Sequence, residues 1–323
     1  MRLGRNFTNL LEYEYLTEEE KEKFLNGDLK VADMDALAQS RFKKDLVRQI
    51  EVADEVDLRH VEIDGGIPNP YLEMSDAELA EAREVSEKKD VTLSLHLPYT
   101  FVADSTCSFQ EEDRRLACDY LKEYIDVADK LGCTYCVMHP GTVPFYQAEG
   151  KYLDIMETML IRSLKDLGAY CNDKDMLLHL ENNTAFDVGF VTTGEIYPVM
   201  DKVREEGIDV RLCFDLAHTF TQVDSSDEIP DPPEKAYRDL PEDLLYSLHI
   251  GDYVPEEQLF HPPIHQERGK MKKENFVNMA EIFENKGVEV VIIETAVRDR
   301  EDLINGYDIM AEETAFLADI FNR

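Results

Sequence analysis

Short apolar runs recur along this 323-residue chain at intervals that leave room for one helix and two loops each time. Strands separated by single helices form parallel sheets with right-handed crossovers. Six of the runs close on a residue that can bind a metal ion, namely His96, His139, Glu181, Asp215, His249 and Glu294, and an earlier run, HVEID, closes on Glu62 and Asp64. Because the carboxyl ends of parallel strands lie at the same edge of a sheet, the pattern predicts that these side chains lie close together.

The number of strand candidates indicates which parallel fold the chain adopts. There are eight candidates, at residues 2–7, 60–64, 91–96, 134–139, 177–181, 211–215, 245–249 and 288–294. This count predicts an α/β fold, a single (β/α)8 TIM barrel over residues 1–323 with its chemistry at the mouth. An open doubly wound sheet is the alternative, but no glycine-rich phosphate motif follows the first strand.

An extra N-terminal helix is expected before the first crossover helix of the barrel. Residues 8–33 are predicted to be an inserted helical segment, because Thr17 and Glu20 have the spacing of a capping box. The crossover helix itself is predicted over residues 34–53.

Charge and composition limit the possible partners and the compartment. With 69 acidic and 34 basic residues the net charge is −35, which argues against general nucleic-acid binding. No stretch approaches the roughly 18 apolar residues of a membrane span, so no membrane association is expected. The six scattered cysteines suit reduced thiols and predict a cytoplasmic protein. The oligomeric state does not follow from the sequence.

The residue types at the strand ends indicate the kind of metal site. Carboxylates and imidazoles without a thiolate suit zinc, manganese or iron in a catalytic centre. Glu181 is able to bridge two ions, and His218 follows Asp215 by three residues, so both can reach the mouth. The loop after the next strand supplies two further imidazoles, His261 and His265.

Seven short motifs together resemble the endonuclease IV and xylose-isomerase-like TIM-barrel superfamily (AP endonuclease family 2, with sugar phosphate isomerase/epimerase relatives). They are LHLPY, MHPG, HLENN, CFDLAH, LHIGD, HQERGK and IIET, and they span nearly the whole chain. Their order and spacing are most similar to the endonuclease IV branch, which uses three zinc ions.

The resemblance implies a set of ligands for each of the three ions. The first ion would be held by His96, His139 and Glu181, the second by Glu181, Asp215, His249 and Glu294, and the third by His218, His265 and an aspartate two residues before the latter. Pro263 stands where that aspartate is expected. Either the third ion is absent or weak, so that two ions remain, or His261 or Glu267 replaces the missing ligand.

Two further features bear on substrate binding. By resemblance Tyr99 packs at an abasic site, although a loop aromatic that covers the barrel mouth fits equally well. The segment RGKMKK, with Arg268 and Lys270, lies where barrel enzymes often bind phosphate. It is equally compatible with an ordinary solvated helix start.

Three functions are compatible with these features. The first expectation is an endonuclease IV-like phosphoester hydrolase that acts on abasic DNA through a metal-bound hydroxide, with zinc as its metal. The alternative is an isomerase or epimerase of a sugar or sugar phosphate, in which Glu181 and Glu294 exchange a proton around one manganese or magnesium ion. The third is a non-catalytic metal-binding barrel. Pro263 and the acidic charge weigh against the hydrolase, whereas HIGDYVPEE lacks an arginine that the isomerases commonly carry.

Overall fold

The computed structural model describes residues 1–147, 149–187, 189–225 and 229–321. Its strands are β1 Arg2–Asn6, β2 His60–Asp64, β3 Thr92–His96, β4 Tyr135–Met138, β5 Leu177–Glu181, β6 Val210–Cys213, β7 Ser247–Ile250, β8 Tyr253–Val254, β9 Leu259–Phe260 and β10 Val290–Glu294. Eight of them pair in parallel in the order β6-β5-β4-β3-β2-β1-β10-β7. Two parallel bridges, Leu212 with Leu245 and Asp215 with His249, link the two ends of this sheet. The predicted (β/α)8 barrel is therefore confirmed.

Helices surround the barrel and connect its strands. They are α1 Glu18–Asn26, α2 Val31–Lys44, α3 Leu46–Glu55, α4 Asp76–Lys89, α5 Glu111–Leu131, α6 Lys151–Asn172, α7 Thr193–Arg204, α8 Leu216–Phe220, α9 Lys235–Arg238, α10 Lys273–Asn285, α11 Arg300–Ile304 and α12 Gly306–Phe321. The extra N-terminal helix is α1, and Thr17 and Glu20 form its capping box. Among the described residues no helix combines the length and the apolar character needed to cross a membrane.

The first crossover differs from the single helix predicted over residues 34–53. It consists of α2 and α3, which meet at Asp45. Asp45 has φ −90° and ψ 67°, outside the helical region, and its carboxylate accepts a hydrogen bond of 3.0 Å from the backbone N–H of Arg48. An aspartate favours this local bond because it satisfies a backbone donor in the first turn of the next helix. The chain therefore restarts the helix at this residue.

Three rings stack on one another in the amino-terminal half of the barrel interior. The Tyr135 ring stacks on both His60 and His179, with ring centroids 5.4 and 4.4 Å apart. The imidazoles bond to hydroxyls, His60 to Ser94 at 2.8 Å and His179 to Ser247 at 2.7 Å. These two histidines are thus fixed structural parts of the core. The six cysteines are buried and unbridged.

A two-stranded antiparallel ribbon, β8 with β9, lies in the loop after β7. Each strand has only two residues, and the pairs are Tyr253 with Phe260 and Val254 with Leu259. The ribbon turns the chain back over the carboxyl end of the barrel. It thereby brings the residues that follow β9 to the mouth.

Candidate metal centre

The carboxyl ends of the strands bring histidines and carboxylates together in three overlapping groups. The ligand atoms of each group lie within 4.8 Å of one another. The groups are His96, His139 and Glu181; Glu181, Asp215, His249 and Glu294; and Asp215, His218, His261 and Glu294. Each of the six strand ends singled out from the sequence thus contributes to at least one group.

The first group combines two imidazoles with one carboxylate. His96 Nε2 lies 3.0 Å and His139 Nε2 lies 3.5 Å from Glu181 Oε2. The other nitrogen of His96, Nδ1, donates a hydrogen bond of 3.0 Å to the carbonyl oxygen of Leu97. Because that bond occupies Nδ1, Nε2 is the nitrogen that faces the group.

The second group contains three carboxylates around one imidazole. His249 Nδ1 lies 3.0 Å from Glu181 Oε1 and 3.3 Å from Glu294 Oε1, and Asp215 completes the group. The opposite nitrogen, His249 Nε2, lies 2.9 Å from Glu62 Oε1 on β2. A carboxylate behind a metal-binding histidine typically orients the ring. Glu62 and Asp64 were expected only as a metal-capable strand end; Asp64 lines the mouth, whereas Glu62 lies behind His249.

The third group is formed by Asp215, His218, His261 and Glu294. His218 Nδ1 donates a bond of 2.6 Å to the carbonyl oxygen of Asn182, which leaves Nε2 facing Asp215 Oδ2 at 3.7 Å. His261 Nε2 lies 3.7 Å from the same oxygen and 3.4 Å from Glu294 Oε2. Both imidazoles therefore face carboxylate oxygens across a gap wide enough for a cation.

The backbone holds His261 in an unusual conformation at this position. Its φ of 54° is in the left-handed region, which non-glycine residues seldom adopt. Its N–H donates to the carbonyl of Asp252 at 3.0 Å, and its own carbonyl accepts from the N–H of Ala296 at 2.9 Å. A Cβ at Gly251 would lie 2.3 Å from His261 Nδ1, so only glycine leaves room for the ring.

Two residues considered for the third group lie elsewhere. His265 Nε2 is 3.6 Å from Glu312 Oε2 and belongs to none of the three groups. Glu267 Oε1 accepts a hydrogen bond of 2.7 Å from the N–H of Lys273 at the start of α10. The expectation for His265 is thus corrected, because the ribbon brings His261 to the mouth instead.

Asn182 is a positioning residue that the sequence analysis missed. Its side chain accepts from the N–H of Asp215 at 2.7 Å and donates to the carbonyl of Asp215 at 2.9 Å. It thus bonds as a peptide group would and extends the pairing of β5 with the segment after β6. Its place in HLENN, directly after Glu181, was the available signal.

The donor set fits a divalent cation. Three carboxylates, from Glu181, Asp215 and Glu294, share the second group, and such a set requires compensating positive charge or protons. Burial, and then the charges of Glu181 and Asp215, raise the pKa of Glu294 to about 8. Asp215 Oδ2 is buried without a hydrogen-bond partner among the described residues. A cation bound between these oxygens would offset the charge of the carboxylates and give Asp215 Oδ2 a partner.

The imidazoles of the first group differ in proton affinity. Burial lowers the pKa of His139 to about 3, against the attraction of Glu181. Burial acts in the same direction on His96, but the hydrogen bond and charge of Glu181 outweigh it and raise that pKa to about 9. A neutral His139 is already in the form that binds metal ions, whereas His96 must release a proton to do so.

The groups open into a cavity of about 570 Å³ at the barrel mouth. Its lining includes Asn6, Asp64, His96, Tyr99, Asp104, His139, Asn183, Asp187, His218, Phe260, His261, Glu294 and Arg298. The Tyr99 ring meets His96 and His139 edge-on, with centroids 5.2 and 5.3 Å apart. Tyr99 therefore covers the first group, as either interpretation of this residue requires.

The basic segment after β9 does not line this cavity. Arg268 pairs with Glu257 at 2.8 Å, and the backbone N–H of Lys270 bonds to the carbonyl of Tyr253. Neither residue belongs to the cavity lining. Arg298, which the sequence analysis did not select, is the only lysine or arginine in the lining, counted over the described part of the chain.

Comparison with known proteins agrees with the fold. D-psicose 3-epimerase in the presence of D-fructose superposes with a TM-score of 0.68 at 16% identity, over 100% of both chains. D-psicose 3-epimerase with D-tagatose from Clostridium cellulolyticum H10 gives 0.69 at 15%, over 99% of both. A structure described as IOLI protein with a binding zinc atom gives 0.64 at 14%, over 100% of both.

Sequence comparison identifies the family. The uncharacterized protein MJ1614 of Methanocaldococcus jannaschii is 25% identical over 177 residues, which are 55% of this chain and 63% of that relative's length. The model of the xylose isomerase-like TIM barrel family matches residues 50–320. This agrees with the superfamily resemblance of the strand-end motifs. The chain belongs to the xylose isomerase-like TIM barrel family.

Proposed function

We propose that this protein is a divalent-metal-dependent isomerase or epimerase of a sugar or sugar phosphate. The observation that carries the proposal is the second group at the mouth of the barrel, in which ligand atoms of Glu181, Asp215, His249 and Glu294 lie within 4.8 Å of one another, close enough to hold one ion. The cavity above it has the size of a small-molecule site.

The two glutamates would move the proton. Glu181 ends β5 and Glu294 ends β10, and around the closed barrel these strands are three positions apart among eight, so the carboxylates approach the centre from different sides. One carboxylate takes a proton from the carbon next to the substrate carbonyl, and the other returns a proton to the neighbouring carbon or to the opposite face. A bound divalent ion would polarise the carbonyl and hydroxyl oxygens of the substrate.

The protein environment favours proton transfer over exchange with solvent. Glu181 and Asp215 are fully buried, and Glu294 is largely so. Tyr99 covers one side of the site, and Phe260 stacks against His218 on another, with centroids 5.3 Å apart. Water exclusion strengthens the electrostatic interactions within such a site.

The comparisons support this alternative better than the hydrolase that was expected first. The two epimerase structures cover the chain over nearly its entire length, and both are described with a ketose sugar. For the metal, the imidazole of His249 in the second group and the imidazoles of the two adjoining groups favour zinc or manganese over magnesium, which prefers oxygen ligands. The zinc-containing neighbour is consistent with zinc.

A phosphoester hydrolase is the second candidate, because one observation favours it. The three ligand groups together offer places for up to three ions, whereas an isomerase needs only the second group. Such a hydrolase would act on abasic DNA, although a net charge of −35 slows its approach to a polyanion.

Metal content and turnover distinguish the two candidates. The purified protein is tested with a panel of ketoses and ketose phosphates and with an abasic duplex, each with and without a chelator, while elemental analysis counts the ions. Chelator-sensitive conversion of a ketose supports the proposal. Duplex incision with three bound zinc ions and no ketose conversion would overturn it.

A matched pair of variants links the activity to the site. Glu294→Gln should abolish conversion of the sugar, because it removes one acid/base group and a ligand. Glu289→Gln changes an exposed glutamate directly before β10, at the other end of the barrel, and should leave conversion unchanged. Loss of activity in both variants would show that the effect is not specific to the mouth.

A further inference from the structure

We propose that Arg298 binds a terminal anionic group of the substrate, a phosphate or a carboxylate, so that the enzyme prefers an acidic sugar over its neutral counterpart. That the substrate is a sugar rests on the proposed function, whereas its anionic group is inferred from the structure. It assigns a binding role to a residue outside the three ligand groups.

The position of Arg298 is suitable for such a role. It follows Glu294 by four residues, which span at most about 14 Å when fully extended, and it lines the same cavity. A phosphate at the far end of a six-carbon chain lies within that range of the carbons near the ion. One substrate molecule can therefore contact both ends of the cavity.

Its loop is fixed by the surrounding structure. Asn9 forms two hydrogen bonds with the backbone of Val297, one of 2.7 Å to the carbonyl and one of 3.1 Å from the N–H. The preceding residue, Ala296, donates its N–H to the carbonyl of His261. The backbone that carries Arg298 is thus tied to the loop after β1 and to the third ligand group. Such fixation lowers the entropy cost of binding an anion.

The guanidinium group is also available. Within the described residues Arg298 is exposed and makes no ion pair or side-chain hydrogen bond, in a chain that has 69 acidic residues. Its neighbour Arg300, in contrast, donates to the carbonyl of Leu29 and lies over the ring of Phe24. A free guanidinium can bind a phosphate or carboxylate through two parallel N–H bonds.

The charges of the cavity are separated in a way that orients an acidic sugar. Asp104 and Asp187 belong to the loops after β3 and β5, across the barrel from β10. Both residues line the cavity, and burial, followed by the charge of Asp187, raises the pKa of Asp104 to about 7. They repel an anion and accept bonds from hydroxyl groups, whereas Arg298 attracts the anion to the opposite wall.

The basic segment predicted for this role has other partners. Arg268 pairs with Glu257, and Lys272 donates to the carbonyl of Gly269 at 3.0 Å. Lys273 lies over the ring of Phe316. These contacts keep the segment outside the cavity, so Arg268 serves as a matched control for Arg298.

Binding to the metal-loaded protein tests the proposal without requiring turnover. Isothermal titration compares fructose, fructose 6-phosphate and fructuronate against wild type, Arg298→Ala, Arg298→Lys and Arg268→Ala. The phosphate or the carboxylate ligand should bind wild type more tightly than fructose does. Arg298→Ala should lower the affinity for that acidic ligand by about 10- to 100-fold, the loss expected for a charge-assisted bond, and leave the affinity for fructose unchanged. Arg298→Lys should restore part of the loss, and Arg268→Ala should match wild type.

The outcomes separate the two proposals. If both acidic ligands bind no more tightly than fructose, or if Arg298→Ala keeps their advantage, the role of Arg298 is wrong. An advantage of the phosphate alone or of the carboxylate alone identifies the anion. If the advantage depends on Arg298 but no ketose or acidic ketose is converted, the anion site stands and the proposed isomerase activity does not.

Discussion

Histidines occupy two levels of the barrel interior, and different groups face them at each level. At the lower level His60 and His179 stack on Tyr135 and bond to hydroxyl groups. At the upper level His96 and His249 face carboxylate oxygens at 3.0 Å. Both levels are buried, so burial does not distinguish them.

The partners of the imidazoles account for the difference. A hydroxyl satisfies a neutral imidazole, and burial lowers the pKa of His60 to about 3, so the lower level carries no charge. At the upper level the carboxylates of Glu181 and Glu294 lie close together, so protons or a cation must offset their charge. A buried histidine thus points to a metal site when carboxylates with unsatisfied oxygens face it.

Glu181→Gln should produce the largest effect, because Glu181 belongs to two of the three groups. We expect metal affinity to fall by more than about 100-fold, beyond the loss typical of residues behind a ligand. Elemental analysis after dialysis measures the bound ions, and circular dichroism checks the fold. Unchanged metal content would show that the upper level is not a metal centre.

Glu62→Gln tests the residue that lies between the two levels. Its carboxylate is 2.9 Å from His249 Nε2. The neutral amide of the variant should hold the imidazole ring less firmly, and it removes the negative charge that lies beside the ring. We expect metal affinity to fall by about 10- to 100-fold, measured by competition with a chelating dye. An affinity equal to that of wild type would assign Glu62 to the structural lower level.

Glu12 provides a buried carboxyl group whose main charged neighbours, within the described part of the chain, are two acidic residues and a lysine. They are Asp35, Lys43 and Asp64, and burial followed by Asp35 raises the pKa of Glu12 to about 9. The unfolded chain releases this proton near pH 4.5 and the folded chain only near pH 9. This contribution to stability is therefore complete below pH 4.5 and is lost as the pH rises toward 9, by about 1.4 kcal/mol per pH unit.

Glu12→Gln removes this dependence. The free energy of unfolding, measured by urea titration between pH 6 and 8, should decline less steeply in the variant than in wild type. Equal slopes would mean that Glu12 is ionised in the folded protein, and that histidine partners are not needed to keep a buried carboxylate charged.

The smallest effect is expected at the lower level. His179→Phe keeps a ring stacked on Tyr135 but removes the bond to Ser247, which should cost about 1 kcal/mol of unfolding free energy. Metal content should stay at the wild-type value. A loss of metal would show that the two levels are coupled.

The periodic parts of the molecule could be predicted from the sequence. Strand ends in a parallel barrel necessarily converge, so the positions of His96, Glu181 and Glu294 followed from counting strands. The break between α2 and α3 did not, because the local bond of Asp45 interrupts a helical pattern that continues on both sides.

Loop positions could not be predicted, because they depend on contacts that leave no periodic signal. The ribbon of β8 and β9 has two residues in each strand, yet it decides that His261 and not His265 reaches the mouth. Likewise, the cluster of cationic residues around Arg268 was visible in the sequence, but the sequence did not show that these side chains lie outside the cavity. Arg298 is a single arginine, and only its loop gives it significance.

The close approach of Gly251 to His261 has a consequence for sorting relatives. The two residues are ten positions apart in the sequence, and the imidazole of His261 can take its observed position only when residue 251 is glycine, since a Cβ there would overlap the ring. Relatives that have both Gly251 and His261 should use the histidine after the ribbon as a ligand of the third group, whatever residue stands at position 263. Relatives with a larger residue in place of Gly251 should draw that ligand from elsewhere, so this pair serves as a marker of subfamily.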